Sequence, residues 1–293
     1  DVGGEICFSS TYSKNPLVNA MCIGVLDDKE KLVRSTTAST GNLLMLVGAE
    51  TGRDGIHGAS GLASRTFEEQ RELRPTVQVG NPFLEKVLIE ACLEVAQTDH
   101  IVGIQDLGAA GLTSAAIEVA AKSDCGVEID VSQIPRRDAM MAPYEVMLSE
   151  SQERMLVVVK EGHQQQVKSV FDKWDLQSTI IGRVTDDGLA RIFDGGRLQS
   201  QVPVRLLTDP PLYRVQGVNP EWLTSLQEYD LRDVPFPRRT PEKVLLRLLS
   251  SPNVASKEWV FRQYDHQVQT NTVVTPGGDA AVLRVKGTMR GIA

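Results

Sequence analysis

The chain has 293 residues, 41% of them hydrophobic and 24% charged, with a formal net charge of −7 at pH 7. That length permits one large domain or two ordinary ones around a packed core. The acidic balance argues against a nucleic-acid-binding surface, which carries a basic stripe, and no apolar run approaches the roughly 18 residues that span a bilayer.

The opening residues from Asp1 to Glu5 lack the basic and apolar regions of a signal peptide. The four cysteines are scattered without metal-ligand spacing. Cys92 and Cys125 stand among apolar or small residues and are expected as buried reduced thiols, so a cytoplasmic location fits best. The chain starts on Asp1 in a turn-like stretch and closes on a β-like run over 282–288. It is therefore expected to be an internal piece of a longer polypeptide.

In chain order, residues 18–25 read as a buried strand and 43–47 as a second one. A Gly-rich loop covers 51–61. Asn81 as N-cap and Pro82 at the first helical position open a helix over 83–95, with Leu84, Val87, Leu88, Ala91 and Val95 on its apolar face. A short strand over 101–104 runs through Gln105 and Asp106 into Gly108 and Gly111, then a helix over 113–122. Strand 155–160, helix 162–174 and strand 178–184 follow. Asp186-Asp187-Gly188 then signals a hairpin into 189–193. Strands alternating with helices indicate an α/β or α+β layered domain. Prolines crowd the next stretch, which reads as a connector over 208–254 with helices near 221–227 and 242–249. A further globular unit begins near residue 255.

Five constellations are weighed for chemistry. Glu150, Ser151 and Gln152 interrupt two apolar runs with groups that suit a ligand rich in hydroxyls and amides; the bland alternative is a solvated turn capped by Ser149 or Ser151. Asp106 ends a strand before a Gly-rich turn into a helix, a common place for an anion and for Mg²⁺ held against phosphates, or simply a capping carboxylate. The loop from Gly52 to Ser60 either offers its backbone N–H groups, Arg53 and His57 to an anion or is tied together by Asp54 and Arg53. Gln78 points either at the same strand-end surface or at solvent. Asp265 and His266 have no nucleophile or second histidine nearby, and a structural role suits them better.

Taken together, the phrases NPLVNAMC, GRDGIHGAS, VQVGNPFLEK, QDLGAAGLTSA, PYEVMLSESQERM and YDHQVQTNTVVTPGGDAAVLR resemble the phosphoribosylformylglycinamidine synthase family over nearly the whole chain. The resemblance implies a large synthetase subunit that uses ATP and Mg²⁺ to convert formylglycinamide ribonucleotide and ammonia to the amidine, ADP and phosphate. It further implies phosphorylation of the amide oxygen before ammonia attacks, a separate glutaminase subunit, and a small third subunit. By position, Gln78, Glu150, Ser151 and Gln152 match substrate-binding residues and Asp106 matches a magnesium ligand; Arg53 and His57 match the family's sequence without an assigned contact. The implied fold is one α/β domain of the aminoimidazole-ribonucleotide-synthetase-like superfamily (31–207), flanked by the end of one ATP-binding-type domain (1–30) and, after the connector, the start of a second (255–293). The family's catalytic histidine segment and its later ATP segment match nothing here, so the piece alone is expected to be inactive. The alternatives are another ATP-dependent member of the superfamily, such as aminoimidazole ribonucleotide synthetase or selenophosphate synthetase, and a non-catalytic binding or scaffold module.

Overall fold

The computed structural model describes residues 2–14, 16–26, 31–37, 39–56, 58 and 78–293. His57 lies outside the described residues. Two compact units emerge: Ala20–Arg214, and Asp1–Asn19 together with Val215–Ala293.

The first unit is built on seven strands: β1 (Leu43–Gly48), β2 (Ile101–Asp106), β3 (Gly126–Asp130), β4 (Arg154–Val159), β5 (Ser178–Thr185), β6 (Leu189–Asp194) and β7 (Arg197–Pro203). They form one mixed sheet in the order β2-β4-β1-β5-β3-β6-β7. Only β3 and β6 pair in parallel; the other neighbours are antiparallel. Central strands buried on both faces need apolar residues at successive positions, which is what β1 and β4 supply. Leu44, Leu46, Leu156 and Val158 pack on one side with Leu112, Ala116 and Val119 of α2 (Gly111–Lys122). Met45, Val47, Val157 and Val159 pack on the other with Leu88 and Val95 of α1 (Pro82–Ala96) and with Val167 and Phe171 of α4 (Gln164–Lys173). A short α3 (Pro143–Leu148) precedes β4, and α5 (Val204–Thr208) follows β7. The α/β layered expectation is met.

Two expectations are corrected. Residues 18–25 form no strand; Val18 is 85% and Met21 84% exposed. An apolar run becomes a strand only where a neighbouring backbone takes up its N–H and C=O groups, and no strand pairs with it among the described residues. Nor does Asp186-Asp187-Gly188 close a hairpin, because β3 lies between β5 and β6. Gly126, the first residue of β3, enters at the mouth of that turn. A Cβ there would come within 2.4 Å of Thr185 Oγ1 and 2.5 Å of the Leu189 carbonyl. The carboxylate of Asp187 holds the wide turn by accepting from Thr185 Oγ1 at 2.9 Å and from the Leu189 N–H at 3.2 Å. The tight hairpin is one strand later, where Gly195 and Gly196 at φ 58° and 80° join β6 to β7.

In the second unit, α6 (Glu221–Gln227) and α7 (Pro241–Leu249) fall where the sequence placed helices, followed by α8 (Glu258–Phe261). Strands β8 (Thr272–Val274), β9 (Val282–Arg284) and β10 (Gly291–Ile292) make a small antiparallel sheet. Asn253 clamps the Phe8 backbone, accepting from its N–H at 2.5 Å and donating to its carbonyl at 3.0 Å. Asp265 accepts from the Gln267 N–H at 2.8 Å, and the His266 carbonyl accepts from the Thr272 hydroxyl. Both contacts are those of a turn.

Candidate functional site

Because β4 runs antiparallel to β1 and β2, its amino end meets their carboxyl ends. Gly48 pairs with Arg154, and Asp106 with Met155. The loops after β1 and β2 therefore share one sheet edge with the 149–153 segment. Ser149 ends α3 as its C-cap rather than opening a helix, and the chain turns inward: Glu150 is 3% and Ser151 2% exposed. The solvated-turn alternative fails.

Each polar group in this turn is bonded. Glu150 accepts from the Ala110 N–H at 3.0 Å through one carboxylate oxygen and from the Gln78 amide at 2.6 Å through the other. Ala110 is the N-cap of α2, so the anion at this helix amino terminus is the protein's own carboxylate. Gln152 donates to Gln78 Oε1 at 3.1 Å and to the Glu150 carbonyl at 2.9 Å. Ser151 Oγ accepts from the Gly52 N–H at 2.9 Å and from Arg137 at 3.1 Å, and donates to Asp54. The Glu150 N–H reaches the Asp54 carbonyl at 2.8 Å. Gln78, Glu150, Ser151 and Gln152 thus form one connected array.

Close approach of backbones makes this possible. Gly111 sits at φ 56°, where a Cβ would meet the Ser149 carbonyl at 1.9 Å. Gly55, at φ 66°, would place a Cβ 2.5 Å from that of Glu150. Only glycine suits both constraints.

Asp106 is exposed at the end of β2. One of its oxygens accepts from Gln105 Nε2 at 2.8 Å, and the other has no protein partner among the described residues. No group of three or more metal-ligating side chains occurs among the described residues. A lone open carboxylate fits a Mg²⁺ completed by phosphate oxygens and water, not one caged by protein.

Arg53 turns away from the anion role open to it. It pairs with Glu145 at 2.9 Å and with Asp138, and donates to the Met140 carbonyl at 2.9 Å. The Arg53 contact, followed by the Ala142 N–H, holds the Glu145 carboxyl below the usual glutamate range.

Sequence reasoning missed three contributors, Arg137, Glu153 and Arg154, and placed Asp54 only in tying its own loop. Glu153, at φ 56°, accepts from the Asn81 N–H at 2.7 Å and so ties the turn to the start of α1. Arg154 is 4% exposed and donates to the carbonyls of Ser151 and Ser149 at 2.9 and 2.6 Å and to Thr51 Oγ1 at 2.9 Å. Burial, with the charge of Arg137 adding, brings its guanidinium down to about 10, so it remains a cation at neutral pH. The available signal was an arginine opening an otherwise apolar strand.

Residues 39–195 match the family described as AIR synthase related protein, C-terminal domain. The chain belongs to this family. Phosphoribosylformylglycinamidine synthase subunit PurL of Moorella thermoacetica is 52% identical over 293 residues, all of this chain and 40% of that protein. The structure of T. maritima PurL complexed with FGAR superimposes with a TM-score of 0.68 at 34% identity, covering 88% of this chain and 39% of that one. T. maritima PurL complexed with ATP gives a TM-score of 0.63 at 31% identity, over 88% of this chain and 37% of that one. The chain spans about 40% of the length of the curated relatives it matches.

Proposed function

We propose that the chain is a portion of a phosphoribosylformylglycinamidine synthase, in which it builds one wall of the substrate site. The complete enzyme converts formylglycinamide ribonucleotide, ATP and ammonia to formylglycinamidine ribonucleotide, ADP and phosphate. The amide oxygen of the substrate attacks the terminal phosphorus of ATP with release of ADP. Ammonia then adds to the activated carbon, and the oxygen leaves with phosphate. Ammonia comes from a separate glutaminase subunit, joined through a small third subunit.

The observation that carries this reading is the bonded array of Gln78, Glu150 and Gln152 on the strand edge that also ends in Asp106. Glu150 offers further lone pairs to ribose hydroxyls or the substrate amide, and Gln152 and Gln78 add a mixed donor and acceptor surface. Asp106 would hold Mg²⁺, which when bound offsets the phosphate charge that builds during transfer. Glu150 positions and binds rather than moving a proton. The chain alone lacks a group matching the family's catalytic histidine and is inactive in this reading.

Calorimetry of the complete synthetase with formylglycinamide ribonucleotide tests it. Glu150→Gln puts an NH₂ against either the Ala110 N–H or the Gln78 amide, which disrupts the array. Affinity is expected to fall at least about tenfold, the effect of losing a charge-assisted bond. Equal affinity of wild type and variant would remove Glu150 from the site.

A further inference from the structure

We propose that Arg154 is the positioning residue of the nucleotide site, holding the 149–151 backbone so that Glu150 and Gln152 face the ligand in one preset geometry. The inference rests on the function proposed above.

The Arg154 guanidinium takes the carbonyl on either side of Glu150, Ser149 O at 2.6 Å and Ser151 O at 2.9 Å, and bonds Thr51 Oγ1 at 2.9 Å. Its planar fork spans three acceptors that no other side chain serves at once. Among the described residues, no carboxylate pairs with it. A buried cation without a counter-ion is a poor way to gain net stability, since apolar residues of similar volume serve as well or better. What the fork adds is geometry. The Ser149–Glu150 peptide is thereby held at both ends, its carbonyl by Arg154 and its N–H by the Asp54 carbonyl at 2.8 Å, and the Ser151–Gln152 peptide is held through its carbonyl. The array is thus preset, and the cost of ordering it is met on folding rather than on binding.

Arg154→Lys in the complete synthetase provides the test, since one ammonium cannot span the three acceptors. The expected result is about a tenfold rise in Kd and KM for formylglycinamide ribonucleotide, with KM for ATP changed by less than about twofold. The double variant with Glu150→Gln should bind no more than about twofold more weakly than Glu150→Gln alone, because one residue acts through the other. Additive losses, or equal rises in KM for both substrates, would overturn the proposal. If Arg154→Lys fails to fold, Thr51→Val removes one acceptor with shape retained; about a threefold loss of nucleotide affinity is expected, and unchanged affinity would overturn it. The outcomes separate the two ideas: a wild-type enzyme that does not bind this nucleotide overturns the function itself. A wild type that binds, with Glu150→Gln impaired and Arg154→Lys indifferent, overturns only the role of Arg154.

Discussion

Glu150 and Arg154 are both charged, both buried, and neither is paired with the other. Each is served by neutral dipoles: a helix-terminal N–H and an amide for the carboxylate, two carbonyls and a hydroxyl for the guanidinium. Such groups are costly to bury and costlier to leave half-bonded, so their arrangement is rigid by necessity. Asp106 differs in being exposed, with one oxygen open. Asp106→Asn should therefore leave Tm nearly unchanged while lowering turnover of the complete synthetase at least about tenfold at limiting Mg²⁺. Wild-type turnover across a Mg²⁺ titration would remove Asp106 from metal binding. Cys92 and Cys125, expected to be buried, are each half-buried; desolvation, with Glu85 adding, pushes the Cys92 thiol up to about 12, which keeps it protonated at neutral pH.

At the level of elements, α3 is only six residues long, and its anchorage comes from side chains. Glu145 reaches back to the Ala142 N–H at 2.8 Å, while Ala142 offers no acceptor in return, so half of a capping box is present. Arg53, from the loop after β1, completes the anchor. The depressed Glu145 value sets the sign of a pH effect. The stabilisation is fully present above the unfolded-state value, about 4.3, and is lost as pH falls through the lower folded-state value. Glu145→Gln should lower Tm by roughly 2 °C at pH 7, with the gap closing only below the ordinary glutamate range. A gap independent of pH down to acid unfolding would contradict the linkage. Helix α1 was legible because Asn81 and Pro82 mark its start chemically; Asn81 does accept from the Leu84 N–H at 3.2 Å. Strand β3 escaped notice because five residues carry too short a pattern, and its insertion between β5 and β6 depends on Gly126 having no side chain.

On the scale of the molecule, the sheet of the Ala20–Arg214 unit closes two apolar layers, one on each face. Phe171 is fully buried in one of them. Expressed as residues 20–214, this unit should unfold in a single urea transition, and Phe171→Ala should cost about 3–5 kcal/mol. Two separated transitions would show that the faces do not fold together. No helix among the described residues is long and apolar enough to cross a membrane.

The alternation of apolar runs and capped helices determined the layered α/β class, and the strand ends with Asp106 and the Glu150 turn were visible as polar interruptions in that pattern. Local chemistry is enough for such features, because caps, glycines and periodicity act over a few residues. Tertiary structure alone decided that Gln78 meets Glu150, that Arg53 is spent on Glu145, and that Arg154 grips the turn from below. The first two of those pairings join residues 72 and 92 positions apart, and Arg154 also reaches Thr51 across 103. Their geometry is set by the antiparallel register of β4 against β1 and β2, which no local pattern encodes.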